Sequence, residues 1–190
     1  MDRVAFVRQI QAGQTDFPGV DLAGLRMSGH SLDGLSLLGA NLSGASFYAT
    51  RFLDIDFRKT RFDGAAWRNA IFRDCDLSGV SFVDVDLAGV DLAGCRLCEA
   101  DLRGALNVHQ AILSGCKLTG ALLSHQLLAD IELTGAELSL CDLSSANLVG
   151  ANLRTARLTG ASLVGADLRC SDVRDVSFRD ADLRDADLRE

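Results

Sequence analysis

With 190 residues, 48% of them hydrophobic, the chain is long enough for one domain with a sizeable core, yet only 6% are aromatic and a single Pro stands against 18 Gly. A net charge of −7 argues against a protein that neutralises nucleic-acid phosphates, so no direct nucleic-acid binding is expected. Asp2 directly follows Met1 and no apolar run approaches the ~18 residues of a spanning helix, so we expect no signal peptide, no membrane contact and a cytoplasmic location.

The first segment, 1–14, reads as a short capping helix. In "DRVAFVRQIQA", Asp2 is placed to cap the start, Val4, Phe6, Val7 and Ile10 give an apolar face, and Gly13 ends it. A helix here covers the first coil of the repeats beyond it and blocks edge-to-edge strand pairing.

From residue 15 to 190 a period of five takes over. Stepping by fives from Phe17 lands on an apolar residue every time through Leu102; after a slip of one residue the steps resume at Val108 and run to Leu188, giving 35 repeats. A helix would carry these residues around all its faces, because five residues rotate by about 140°. A flat strand would alternate them between sides. The conflict disappears if the chain turns a corner once per repeat. With the large apolar residue at i, the extended part points i−2 and i inward and i−1 and i+1 outward, and i+2 is the corner. Composition agrees. The i−2 slot is mostly Ala, with Val, Cys and Thr in most others; i−1 is mostly Asp, Asn, Ser or Arg; and 17 of the 18 Gly fall at i+2. Successive turns in one direction wind a solenoid of parallel, hydrogen-bonded coils, although the number of sides per coil does not follow from a period of five.

Between Phe47 and Phe82 every central slot except Leu77 is aromatic. At one-coil spacing Phe52 stacks on Phe72 and Phe62 on Phe82, which predicts the most firmly packed stretch. The phase slip falls near Ala105, in "ALNVHQ", and one coil later Gln126 takes an inward slot, where a buried amide needs partners. Both irregularities lie on neighbouring coils and the same side. A bulge there presents Asn107, His109, Gln110 and His125 as a candidate interaction patch; the alternative is a tolerated one-residue insertion.

Tandem A(D/N)LXX, as in "ANLVGANLRTARLTGASLVGADLRC", resembles the pentapeptide-repeat family over residues 15–190. The resemblance implies an all-β fold, a right-handed quadrilateral parallel β-helix with four repeats per coil, eight to nine coils and a rod of roughly 40 Å. Gyrase-interacting members join two subunits through their C-terminal regions. By that resemblance Phe178, Asp182, Leu183, Arg184, Asp187 and Leu188 form a candidate edge for a homodimer, with Asp and Arg side chains available to pair across it or to remain solvated.

No catalytic, metal or cofactor site emerges. Cys75, Cys95, Cys116 and Cys141 fill inward i−2 slots as small apolar residues, and their spacing matches no zinc signature. His30 occupies an inward slot and is expected to be a hydrogen-bonded core residue. The acids are outward and solvated, and no nucleophile–base pair exists, so an enzyme is not expected. The leading expectation is a non-catalytic scaffold for an unidentified protein partner. The alternatives are a DNA-mimicking modulator of type II topoisomerase, as in the fluoroquinolone-resistance members of the family, and a structural or effector segment of a larger protein.

Overall fold

The computed structural model describes residues 1–189. Helix α1, Arg3–Gln11, opens with Asp2 accepting a hydrogen bond from the Ala5 N–H at 2.8 Å. Phe6 is fully buried and meets Phe17 of the first coil edge to face, with ring centroids 5.0 Å apart. The expected apolar face is narrower than its pattern: Val4 is 67% exposed, because contact with the coil runs through Phe6, Val7 and Ile10. No helix among the described residues is long and apolar enough to cross a membrane.

Beyond α1 the chain climbs in coils of 20 residues. Three strands are long enough to be named, β1 (Ser31–Asp33), β2 (Arg51–Leu53) and β3 (Ile71–Arg73); they pair in parallel in that order, Leu32 against Phe52 and Phe52 against Phe72. Elsewhere the sheet is reduced to single bridges at the i−1 residue, as in Asp21 to Asn41 to Arg61, and the ladder breaks between Arg61 and Ser81 and again between Leu106 and Leu127. Twenty residues per rung is four repeats per coil.

The backbone of one repeat shows why five residues suffice. Leu42 N–H donates to Arg61 C=O of the next coil at 2.8 Å, and Gly44 N–H to Asp63 C=O at 2.8 Å. Asn41 N–H donates back to Val20 C=O of the preceding coil, and Ala45 N–H closes the corner onto Leu42 C=O. Four of the five N–H groups are thus satisfied by main chain. The fifth, at i+1, turns outward, and where i−1 is Asp or Asn that side chain accepts it: Ser43 N–H donates to Asn41 Oδ1, Ala88 N–H to Asp86 Oδ1 and Arg169 N–H to Asp167 Oδ1. Asp or Asn at i−1 is therefore a turn-capping residue as well as an outward polar one. Where Arg follows at i+1 it forks onto the same carboxylate, as in Arg58–Asp56, Arg103–Asp101, Arg184–Asp182 and Arg189–Asp187.

Corners from Gly19 to Asp185 hold φ between +52° and +74° except at Gly104 and Gln110. That left-handed conformation explains the glycines, and Asp and Asn serve at several of the remaining corners. Inward, the central residues form one continuous core with the i−2 residues. Polar i−2 residues donate to a central carbonyl of the coil beneath: Thr50 to Met27 and Thr60 to Leu37, both at 2.8 Å.

In the aromatic coil Phe52 stacks on Phe72 with centroids 4.6 Å apart. The expected stack of Phe62 on Phe82 is replaced by contacts of both rings with Trp67, at 4.5 and 5.5 Å, since the larger indole reaches across the interior. Among the described residues Trp67 Nε1 is buried without a partner. An orphaned buried donor costs about 1–3 kcal/mol, which offsets part of what the indole contributes. Trp67→Phe is therefore expected to cost less than about 1.5 kcal/mol, against about 3–5 kcal/mol for Trp67→Ala, measured by chemical denaturation.

The forked Arg–Asp pairs set an acid limit. Hydrogen bonds from Arg174 and Arg189 hold the carboxyls of Asp172 and Asp187 down at about 2, and those of Asp56, Asp101, Asp167 and Asp182 are lowered by Arg58, Arg103, Arg169 and Arg184 in the same way. A carboxyl whose folded pKa lies below its unfolded value of about 3.9 adds stability that is present above that pH and disappears as pH falls through the folded value. The thermal midpoint is expected to decline between about pH 4 and pH 2, and Arg174→Ala to raise the Asp172 titration midpoint seen by carboxyl NMR.

Candidate functional site

The insertion responsible for the phase slip is Asn107. Leu106 points outward as an i−1 residue, Val108 is buried as a central one, and the additional residue between them adopts φ 55°. Its side chain donates to Asp86 Oδ1 at 2.8 Å, which lowers the Asp86 carboxyl pKa. Val108–Gln110 then tightens into a 3-10 turn. Above this point the bridges run 21 residues apart for one coil, Asp91 to Ile112 and Arg96 to Lys117, and return to 20 at Ile112 to Glu132.

The cost of the insertion falls on one side. No bridge joins Leu106 to Leu127, and among the described residues the Leu127 N–H and C=O have no hydrogen-bond partner. The corner at Gly104 is rotated: Asp84 N–H pairs with Gly104 C=O at 3.0 Å, and Gly89 N–H likewise with Gln110 C=O, where regular repeats use the i+1 carbonyl. Gly104 lacks the left-handed φ of the other corners and is needed for a different reason, because a Cβ there would stand 3.3 Å from Val83 Cα. The Arg103 carbonyl freed by this rotation is taken by Gln126, whose Nε2 donates to Arg103 C=O at 2.7 Å and to Leu102 C=O at 2.8 Å. Gln126 occupies the same donor slot as Thr50 and Thr60, with a side chain long enough to span the disrupted rung. The amide that looks awkward in sequence is what satisfies the distorted coil.

The four patch residues gather around this seam. Asn107, His109 and His125 line a recess of about 440 Å³ between the two coils. Gln110 lies beside it, its Nε2 3.2 Å from His109 Nε2. Sequence reasoning missed Leu106 and Leu127, which are 52% and 68% exposed at two successive i−1 positions. The signal was present: their column reads Asp86, Leu106, Leu127, Asn147, and from 104 to 129 Lys117 is the only charged residue.

Elsewhere the candidate residues serve structure. The Cys116 and Cys141 thiols donate to the Leu92 and Leu118 carbonyls, and burial pushes Cys141 up to about 12. His30 is half-buried, not in the core, with Nδ1 2.9 Å from Ser28 C=O and Nε2 2.8 Å from an Arg3 guanidinium nitrogen. At the C-terminal edge, Phe178 and Leu183 are half-buried and Leu188 is 47% exposed, while Asp182 and Asp187 are engaged by the Arg of their own repeats.

Gln126→Leu is expected to destabilise the chain by about 1–3 kcal/mol, because the Arg103 carbonyl loses its donor. Deleting Asn107 in the same protein should remove most of that penalty, a coupling that a double-mutant cycle by thermal unfolding reads directly.

A family model described as pentapeptide repeats matches residues 15–52, 81–120, 116–154, 136–175 and 156–190, and a second pentapeptide-repeat model matches 47–96. Among solved structures the chain is similar to HetL, a pentapeptide repeat protein involved in heterocyst differentiation regulation from the cyanobacterium Nostoc sp. strain PCC 7120, at 29% identity over 98% of this chain and 94% of that one, with a TM-score of 0.47. It is also similar to full-length QnrB1, a plasmid-mediated fluoroquinolone resistance protein, at 24% identity over 92% and 91% of the two chains, with a TM-score of 0.44. The comparison with curated proteins found no match. With the repeat models together spanning 15–190, the chain belongs to the pentapeptide-repeat family.

Proposed function

We propose that this protein is a non-catalytic scaffold: a right-handed, four-sided rod that holds the seam around Asn107 toward a protein partner in the cytoplasm. The observation that carries the reading is that seam. There an inserted residue breaks the ladder, two leucines replace the outward polar residues, Asn107, His109 and His125 line one recess, and Gln110 lies beside His109. The carboxylates support the absence of catalysis, since a general acid or base at neutral pH needs a raised pKa and hydrogen bonds from Arg lower these. Four buried cysteine thiols packed in the core suit a reducing compartment.

The half-exposed core residues of the last coil favour a second copy of the chain as their cover, giving a homodimer through Phe178, Leu183 and Leu188. Light scattering is expected to report a dimer that Leu183→Arg dissociates; a monomer at all concentrations overturns this part of the reading.

Mimicry of DNA toward gyrase is the second reading. The corner aspartates Asp54, Asp74, Asp84, Asp130, Asp175 and Asp185 form no ion pair among the described residues and leave negative charge for a basic groove. They lie on scattered corners, however, and the i−1 aspartates beside an Arg are neutralised, so the seam is favoured. A supercoiling assay with purified protein, with and without a fluoroquinolone, separates the two. The scaffold reading expects no effect; salt-sensitive inhibition or drug protection at micromolar protein would replace it with mimicry.

A further inference from the structure

One side of the rod departs from the charge pattern of the others near the N-terminal end. It comprises residues 24–29 on the first coil, 44–49 on the second and 64–69 on the third, stacked through the bridges Arg26 to Ser46 to Ala66. None of these residues is acidic, and no other side, counted with its corners, goes three successive coils without Asp or Glu. Arg26, Tyr48 and Arg68 are exposed there, and Arg51 is exposed just around the corner from Tyr48. The usual carboxylate partners are missing. Arg68 has Ala66 where the forked pairs of Arg58, Arg103 and Arg169 have Asp. It approaches Asp86 of the coil above only to 3.7 Å, and that carboxylate is already held by Asn107 and the Ala88 N–H. Arg26 and Arg51 form no ion pair among the described residues. Arg3 of α1 borders the lower corner, bonded to His30. The surrounding acids are Asp84 and Asp86 on the coil above, Asp63, which lies 3.5 Å from Arg61, and Asp33 and Asp54 beyond Leu53 at the far end of the next side.

Charge and shape select the occupant. Tyr48, the only tyrosine of the chain, is 53% exposed at the middle of the patch, with the small side chains of Ser46 and Ala49 on either side. Tyr and Arg are the residue types in which interfaces concentrate binding energy, and Arg clusters take acidic segments through forked hydrogen bonds. The patch rises through three coils, about 10 Å. A nucleic-acid backbone would overrun it onto Asp84, Asp86 and the acidic remainder of the rod, where repulsion opposes it. We propose that this side binds an extended acidic segment of a partner protein, with two carboxylates taken by Arg26 and Arg68 and an apolar part of the segment lying on Tyr48. Carboxylates two or three residues apart on an extended chain stand about 7–10 Å apart, which suits two Arg separated by two coils. The coil of Asp86 divides this surface from the seam around Asn107, so it goes beyond the reading above and stands without it.

The test selects random peptides displayed on phage against the full chain and measures synthetic copies of the winners by fluorescence anisotropy. The expected winners carry two acidic residues two or three positions apart. Replacing those residues by their amides weakens binding by about tenfold or more, as does raising the salt from about 0.05 to 0.5 M. On the protein, Arg26→Glu with Arg68→Glu weakens binding by about a hundredfold and Tyr48→Ala by about tenfold. Arg157→Glu, on another side of the rod, leaves it unchanged. The substituted side chains are exposed, and Arg26→Gln with Arg68→Gln gives the same answer if charge reversal lowers the thermal midpoint. No enrichment, winners without acidic residues, or acidic winners that bind both Arg26 and Arg68 double variants as well as the original chain overturn the proposal. So does a single-stranded oligonucleotide that displaces the winners and binds more tightly, because nucleic acid would then be the occupant. Winners lost on deletion of Asn107 belong to the seam and overturn it as well. A gyrase effect in the supercoiling assay, by contrast, removes the scaffold reading and leaves binding at this surface as measured.

Discussion

Everything in this rod depends on the disposal of five backbone N–H groups per repeat. Two are donated up to the next coil, one down to the preceding coil and one across the corner, which leaves only the fifth donor, at i+1, facing outward to a side-chain or solvent acceptor. Asp or Asn two residues earlier supplies it without leaving the repeat. The left-handed corner is the other half of the constraint, because it turns the chain through each side while keeping the central residue inward. Named strands are consequently almost dispensable: outside β1–β3 a single bridge per repeat is enough, since each rung is reinforced by the corner bonds above and below it.

The same accounting governs the surface. An Arg at i+1 finds the capping carboxylate already positioned, and the fork it makes costs little additional ordering, which is why the pairs at Asp56, Asp101, Asp167 and Asp182 share one geometry. Much of the formal charge is thereby cancelled locally, and the residual negative charge comes largely from corners. The Asp and Arg alternation near the C-terminus is an example: it reads as material for an intersubunit joint, yet Arg184 and Arg189 are each turned back onto their own repeat.

Much of the architecture was legible in the sequence because burial leaves a strong mark. The central column, the small i−2 column and the glycine corners each follow from one spacing rule, and Cys75, Cys116 and Cys141 are as buried as their slots imply. What stayed hidden was hydrogen bonding. An Asp at i−1 looks the same whether it faces water or caps a turn, and Gly104 looks like any other corner although it serves a close approach to Val83. The four patch residues were visible as a break in phase, whereas Leu106 and Leu127 leave the period intact and show only when the i−1 residues are compared coil by coil, between Asp86 and Asn147. Gln126 stands out in the sequence as a misfit, whereas its partners are the main-chain carbonyls of Leu102 and Arg103, which no pattern of residue types reveals.

The confinement of the insertion to one side of one coil has a mechanical meaning. In a stack whose coils touch only their neighbours, an axial load passes through every rung in series, and the weakest rung sets the strength of the whole. The side of the coil between Leu102 and Gln110 carries its share of that load partly through one glutamine amide in place of main-chain rungs. The rod therefore has a weak rung near its middle, with the aromatic coils on one side of it and the leucine-rich coils on the other.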